Sequence, residues 1–236
     1  EFTYTPVVSS SRPQNYAIVG YPLGMMKANV RQTNDAGEFL IDDDGFYIET
    51  TEPELVGDPN PDWTAGLTNS ISWNGLSLDF TWQYRHGGDM FSQDAATLVG
   101  RGVLNPGTVR EGLYVLDGVN KNTGQTNTTQ ITAINYGFDI FSFGPGELQI
   151  FDATTIRLSE VNLSYDFPRN LLERTPFGSL TATLTGINLF YDAVNVPDVV
   201  NFDSNVLSTG VGNAMGLSFI TGPSSRRVGL TLKATF

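Results

Sequence analysis

The sequence predicts an all-β chain, an antiparallel transmembrane β-barrel segment with long extracellular loops. Three observations predict it. Residues 63–86 alternate polar and apolar side chains on both sides of an Asn74-Gly75 pair. The same alternation returns in residues 155–167, 179–191 and 228–236. Between these runs short and long connections follow one another in strict order, as the short periplasmic turns and long external loops of outer-membrane barrels do.

From the start of the chain, residues 1–5 look like the tail of a strand and residues 6–13 like a polar turn. Residues 15–21 and 25–31 are short strand-like pieces, split by Pro22-Leu23-Gly24. Residues 35–54 read as a loop or small ribbon. Within them Asp42-Asp43-Asp44-Gly45 resembles the start of a calcium loop. An EF-hand, however, needs oxygen donors at alternate positions, a closing Glu and flanking helices. Here the acids are consecutive, and a tight turn is the better reading, with a cation site as the alternative.

In the run that follows, Trp63, Ala65, Leu67, Asn69, Ile71 and Trp73 share one face, and Thr64, Gly66, Thr68, Ser70 and Ser72 the other. Asn-Gly suits the two positive φ angles of a type I′ hairpin turn. Leu76, Leu78, Phe80, Trp82 and Tyr84 then oppose Ser77, Asp79, Thr81, Gln83 and Arg85. Strands of about ten residues are long for a soluble sheet, where about 5–6 is usual. Ten residues span roughly 33 Å. Tilted by about 40°, that is about 25 Å of height, the height of a barrel's apolar band, with an indole at each rim. Leu76, Leu78, Phe80 and Trp82 are expected to face lipid, and Ser77, Asp79, Thr81 and Gln83 the lumen.

Residues 87–151 are rich in Gly, Asn and Thr and lack sustained periodicity, so they read as a long loop. In the next run Ile156 and Leu158 hold one phase and Val161, Leu163, Tyr165 and Phe167 the other. The slip at Ser159-Glu160 is the mark of a β-bulge. A turn over residues 168–178 leads to a strand in which Leu180, Ala182, Leu184 and Gly186 alternate with threonines. A second long loop covers 192–225. The last run sets Val228, Leu230, Leu232 and Ala234 against Arg227, Gly229, Thr231 and Lys233 and ends on Phe236. That strand is expected to pair on one side with residues 179–191, and its other edge to find its partner outside this sequence. Residues 1–62 thus form a first segment of strands and loop, and residues 63–236 the main run of strands, with external loops at 87–151 and 192–225.

Composition agrees. The 236 residues carry few charges and 25 glycines, and no apolar run is long enough for a membrane-spanning helix. A net charge of −12 argues against a nucleic-acid partner, which would call for a basic stripe. With no cysteine there is neither a disulfide framework nor a thiolate metal site. The chain opens with Glu1-Phe2, from which processing or truncation of an earlier segment is expected.

Several segments resemble the late barrel region of SusC/RagA-type TonB-dependent outer-membrane transporters. They are Gly57-Asp58-Pro59-Asn60-Pro61-Asp62-Trp63, Gly66-Leu67-Thr68-Asn69, Gly87-Gly88-Asp89-Met90-Phe91, Arg101-Gly102, the stretch from Asp152-Ala153-Thr154-Thr155 to Glu160-Val161, Leu163-Ser164-Tyr165-Asp166-Phe167-Pro168, and Gly186-Ile187-Asn188-Leu189-Phe190. The ending, Pro223-Ser224-Ser225-Arg226-Arg227-Val228-Gly229-Leu230 through Phe236, is similar to the family's final strand. The family often carries Asp-Pro-Glu where this chain has Val196-Pro197-Asp198 and Asp203-Ser204.

The resemblance implies the carboxy-terminal strands of a 22-stranded barrel. It implies a bacterial outer-membrane importer of oligosaccharides or peptides, with a SusD-like surface lipoprotein, the TonB complex, outer-membrane lipid and the remainder of the barrel as partners. This chain would then be a fragment of the whole. A small complete barrel serving as adhesin or structural porin, and a soluble carbohydrate-binding β-sandwich, are the alternatives.

Catalysis has little support. The one histidine, His86, stands at a strand end, and no nucleophile–base pair or Gly-rich phosphate loop occurs. No cofactor is implied. Candidate substrate contacts are polar and aromatic groups in the loops and lumen: Arg101, Arg110, Tyr114, Tyr136 and Tyr191.

Overall fold

A computed structural model describes the backbone of residues 2–3 and residues 12–103, 110–196, 203, 214–219, 222 and 224–236. Contacts divide the chain into two units. One comprises Glu1–Pro61, Gly87–Ala153 and Asn195–Gly222, the other Asp62–His86, Thr154–Val194 and Pro223–Phe236. The first 61 residues therefore group with the two long insertions rather than with the alternating runs.

The second unit is one antiparallel sheet. Its strands are β1 (Trp63–Trp73), β2 (Leu76–His86), β3 (Thr155–Asp166), β4 (Ser179–Asp192) and β5 (Arg227–Thr235). Their order across the sheet is β5-β4-β3-β2-β1. Asn74 (φ 48°) and Gly75 (φ 83°) make the tight turn the sequence predicts. A Cβ on Gly75 would fall 2.9 Å from the Asp166 carbonyl oxygen, so glycine also serves the close approach of the neighbouring strand.

Register carries the alternation across all five strands. Ile71, Leu78, Leu163, Leu184 and Leu230 form one continuous row, and Trp73, Leu76, Tyr165, Ala182 and Leu232 the next. On the opposite face lie Ser72, Ser77, Ser164, Thr183 and Thr231. Hydroxyls there meet in cross-strand pairs, Ser72 with Ser77 at 2.9 Å, Thr68 with Thr81 at 3.1 Å, and Ser164 with Thr183 at 2.9 Å. Such pairs contribute about 0.2–1 kcal/mol each.

The register of β3 shifts between Leu158 and Glu160 against both neighbours. Against β2 the extra residue is Ser159, whose Oγ donates to the Thr81 carbonyl at 3.0 Å, whereas against β4 it is β4 that bulges, with Asn188 (φ 52°) and Leu189 opposite Ser159. The shift puts Leu158 beside Trp82 and Val161 beside Phe80, so the two phases seen in the sequence end on one face.

The sheet does not close on itself, and β1 and β5 each have one strand neighbour among the described residues. On β5, Val228 is 69 % exposed, Leu230 70 % and Leu232 65 %. The short connections, Asn74-Gly75 and residues 167–178 with a helical turn at Arg169–Leu172, join strands at one end of the sheet. Both long insertions leave and re-enter at the other end, where His86, Thr155, Asp192 and Arg227 stand.

The first unit is built from small pieces. Glu54–Gly57, Met25–Ala28 and Gln14–Ala17 pair in a sheet with Phe2–Thr3. Most of the turn read over residues 6–13 lies outside the described residues. Asp89–Ser92 runs between Ile150–Asp152 and Leu217–Ser218. Met26, Phe91, Ala214 and Leu217 form one buried cluster, and Ile41, Leu116, Ile131 and Ile140 another.

Residues 31–49 fold back as a ribbon held by bridges from Arg31 to Glu49, Thr33 to Phe39 and Ile41 to Tyr47. Arg31 stacks on Phe39 at 3.9 Å while its Nε donates to Glu147. The insertion expected to be a plain loop also contains helix α1 (Gln93–Gly100), and a π-helical segment follows at Tyr136–Ser142. Among the described residues no helix is long and apolar enough to cross a membrane.

Candidate functional site

Helix α1 is set at both ends. Ser92 Oγ accepts from the Ala95 amide at 3.1 Å, and Asp94 sits in the first turn. At the far end Gly102 takes φ 65°, Val103 N–H bonds the Leu98 carbonyl and Gly102 N–H that of Val99, both at 2.9 Å. This is the Schellman arrangement, which satisfies the last carbonyls and fixes Arg101 and Gly102 in place.

The π-helical segment packs against α1 through small residues. A Cβ on Gly137 would lie 3.1 Å from the Gly100 carbonyl oxygen, and one on Gly100 would lie 2.0 Å from Ser142 Oγ. Ser142 Oγ donates to the Ala96 carbonyl at 3.0 Å, tying the two segments side by side. Residues 138–143 keep the wide helical bond, Phe143 N–H to Phe138 carbonyl. Single π turns of this kind occur often at functional sites.

Between these segments opens a cavity of about 540 Å³. Val99, Ile134, Phe138 and Phe141 supply apolar wall, while Arg101, Arg110, Glu111 and Tyr136 supply the polar groups. The Arg101 guanidinium lies 5.9 Å from the Phe138 ring centroid. Arg110 Nε lies 3.5 Å from the point a Cβ on Gly102 would occupy. Tyr114 stacks on Tyr136 at 4.9 Å, and Phe141 meets Tyr136 edge-on. Burial, with smaller contributions from Tyr47 and Tyr114, pushes the Tyr136 phenol above its ordinary pKa.

Four of the five residues singled out in the sequence are thus brought together: Arg101, Arg110 and Tyr136 on the cavity, and Tyr114 behind Tyr136. Tyr191 belongs to the other unit. It lies on β4 opposite Arg157, whose guanidinium is 5.0 Å from its ring centroid and bonds Asn188 Oδ1 at 3.1 Å. Sequence reasoning missed Ile134, Phe138, Phe141 and Arg157. Ser92 and Asp94 before an apolar run, with Gly102 after it, are the capping signals that locate α1. The aromatic Tyr136-Gly137-Phe138 offers no comparable signal.

The acidic turn is a turn. Asp42 Oδ1 accepts from the Asp44 and Phe46 amides at 3.0 and 2.9 Å. The Asn120 and Asn122 side chains each donate to the Asp43 carboxylate at 2.9 Å and hold its pKa below the ordinary value. Among the described residues no group of acidic or histidine side chains could hold a metal ion. His86 ends β2 beside the rings of Trp63 and Tyr84, which also meet each other at 5.1 Å. Of the variant family motif, Pro197, Asp198 and Ser204 lie outside the described residues.

No protein-family model matches the chain. TonB-dependent receptor P26 of Formosa agariphila is 27% identical over 194 residues, which cover 80% of this chain and 18% of that protein. TonB-dependent receptor P3 of the same organism is 24% identical over 212 residues, 85% of this chain and 19% of that protein. The chain therefore spans about a fifth of the length of the curated relatives it matches.

Among solved structures, a chain of the RagAB peptide importer in its closed-closed state superposes with a TM-score of 0.52 at 17% identity, over 94% of this chain and 25% of that one. Its open-open state gives 0.51 at 16% identity over 99% and 25%. The chain is a distant homologue of TonB-dependent receptors, and its mostly β-strand fold matches part of a RagA barrel.

Proposed function

We propose that this chain is the carboxy-terminal part of the barrel of a TonB-dependent outer-membrane importer. In this reading the whole protein takes up oligosaccharides or peptides with a SusD-like surface lipoprotein, driven by the TonB complex, in a transport role rather than an enzymatic one. The observation that carries the reading is the two-faced sheet. Five strands present apolar rows on one side, interrupted at Asn69, and mainly hydroxyl, amide and charged side chains on the other, and every long insertion leaves from the same end. A barrel wall needs one face for lipid and one for an aqueous lumen. Likeness to TonB-dependent receptors over most of this chain supports the energised form of transport.

In this reading residues 87–151 and 192–225 are extracellular loops, and the turns at 74–75 and 167–178 are periplasmic. The edges of β1 and β5 that have no strand neighbour among the described residues pair with other strands of the barrel, since open backbone groups in lipid are expensive. Deleting the gene for the full-length protein from its host is expected to abolish growth on one glycan or peptide source, and deleting tonB to give the same defect. Growth on that source without TonB would remove the energised-importer reading. Release of the protein in soluble form without detergent would remove the membrane reading altogether.

A further inference from the structure

We propose that the cavity between α1 and the π-helical segment binds a small molecule that joins an aryl-sized apolar group to a single carboxylate. Its volume of about 540 Å³ falls within the range of about 300–1,000 Å³ typical of ligand sites. The shape is held from both sides by the capped end of α1 and by the glycine contacts across to the π-helical segment, so little ordering is left for the ligand to impose. Phe138, Phe141 and Val99 offer a surface for a ring, and Ile134 is left 74 % exposed beside them.

The charges select the rest of the ligand. Arg31 in the same unit is matched by Glu147, but among the described residues neither Arg101 nor Arg110 has a carboxylate partner. Two guanidinium groups on one cavity make a locally positive site in a chain of net charge −12. Glu111 on the same wall offsets one of them, leaving the charge that one carboxylate neutralises. Guanidinium is the donor best suited to a carboxylate, through two parallel hydrogen bonds. The lining contains no Asn, Gln or Asp to read the hydroxyls of a neutral sugar.

The proposal rests on the importer reading for its biological sense, as a substrate contact, but binding is measured without transport. Calorimetric titration of the full-length protein in detergent with N-acetylphenylalanine, its amide and maltose provides the test. The acid is expected to bind, the amide to bind about tenfold more weakly, and maltose not to compete. Arg101→Gln and Arg110→Gln should each weaken the acid about tenfold and leave the amide unchanged. Both side chains are exposed, and heat-modifiable mobility on a gel checks that each variant is folded. Equal affinity for acid and amide overturns the proposal, as does indifference to both substitutions or no binding by the folded protein. No binding by the folded, unsubstituted protein with uptake intact would sink this site alone, whereas failed uptake with binding intact would sink only the importer reading.

Discussion

Phe80 and Thr81 are neighbours at the middle of β2 and point to opposite faces of the sheet. Phe80 stands between Asn69 and Val161, Thr81 between Thr68 and Glu160. If the apolar face meets lipid, arginine at position 80 is placed near the bilayer midplane, where it costs about 2–4 kcal/mol. That is about 30- to 900-fold in the folding equilibrium.

Arginine at position 81 loses the hydroxyl pair with Thr68, a net effect of about 0.5–1.5 kcal/mol. It gains Glu160 directly across the strand, worth about 0.2–1 kcal/mol. The two nearly cancel, leaving a change within about 1 kcal/mol. Heat-modifiable mobility of the full-length protein from outer membranes, and urea titration of the refolded protein in lipid vesicles, would compare Phe80→Arg with Thr81→Arg. Equal loss, or greater loss at position 81, would refute the assignment of the faces.

Gly75→Val should lower stability by at least about 1–2 kcal/mol because of the positive φ, with the clash against Asp166 added; the urea midpoint checks it. Arg31→Ala should loosen the 31–49 ribbon by about 1–3 kcal/mol, seen as faster hydrogen exchange at Gln32 and Ile48. Arg31→Lys should rescue only part, because an ammonium keeps the charge for Glu147 but not the planar stack on Phe39. Burial pushes the Glu49 carboxyl above its ordinary value of 4.5. Its ionised form therefore weakens the fold above the raised pKa, and the penalty fades as pH falls through that pKa and is gone below 4.5. Glu49→Gln should melt higher than the parent at neutral pH, with the gap closing in acid; a constant gap would count against burial as the cause.

The sheet was legible because its code is local. Side chains alternate by position alone, Asn74-Gly75 needs only its own φ angles, and Ser159 betrays itself by shifting Val161 and Leu163 into the other phase. The first unit has no such code. Leu40 pairs with Val119 and Phe91 with Leu217 across long stretches of sequence, through strands too short to show a period. Arg101, Arg110 and Tyr136 were visible as residue types suited to ligand contact. Their meeting depends on Gly100 lying against Gly137, a contact that neither glycine announces.

Those distant pairings also govern when the first unit can form. The Asn15 side chain donates to the carbonyls of Gly24 and Met215, the Phe91 N–H donates to the Gly216 carbonyl, and Met26, Phe91, Ala214 and Leu217 form the buried cluster beside them. Three chain segments, separated by the strands of the other unit, are needed before that cluster is buried. Each closure carries an entropy penalty that grows with the logarithm of the intervening length, and non-local contacts of this kind slow folding. The strand that carries Phe91 gains its second neighbour only when residues 217–218 are in place. The hairpin of β1 and β2 has no such wait, since its strands are joined by two residues, so that local hairpin can form ahead of both the cluster and the rest of its own sheet.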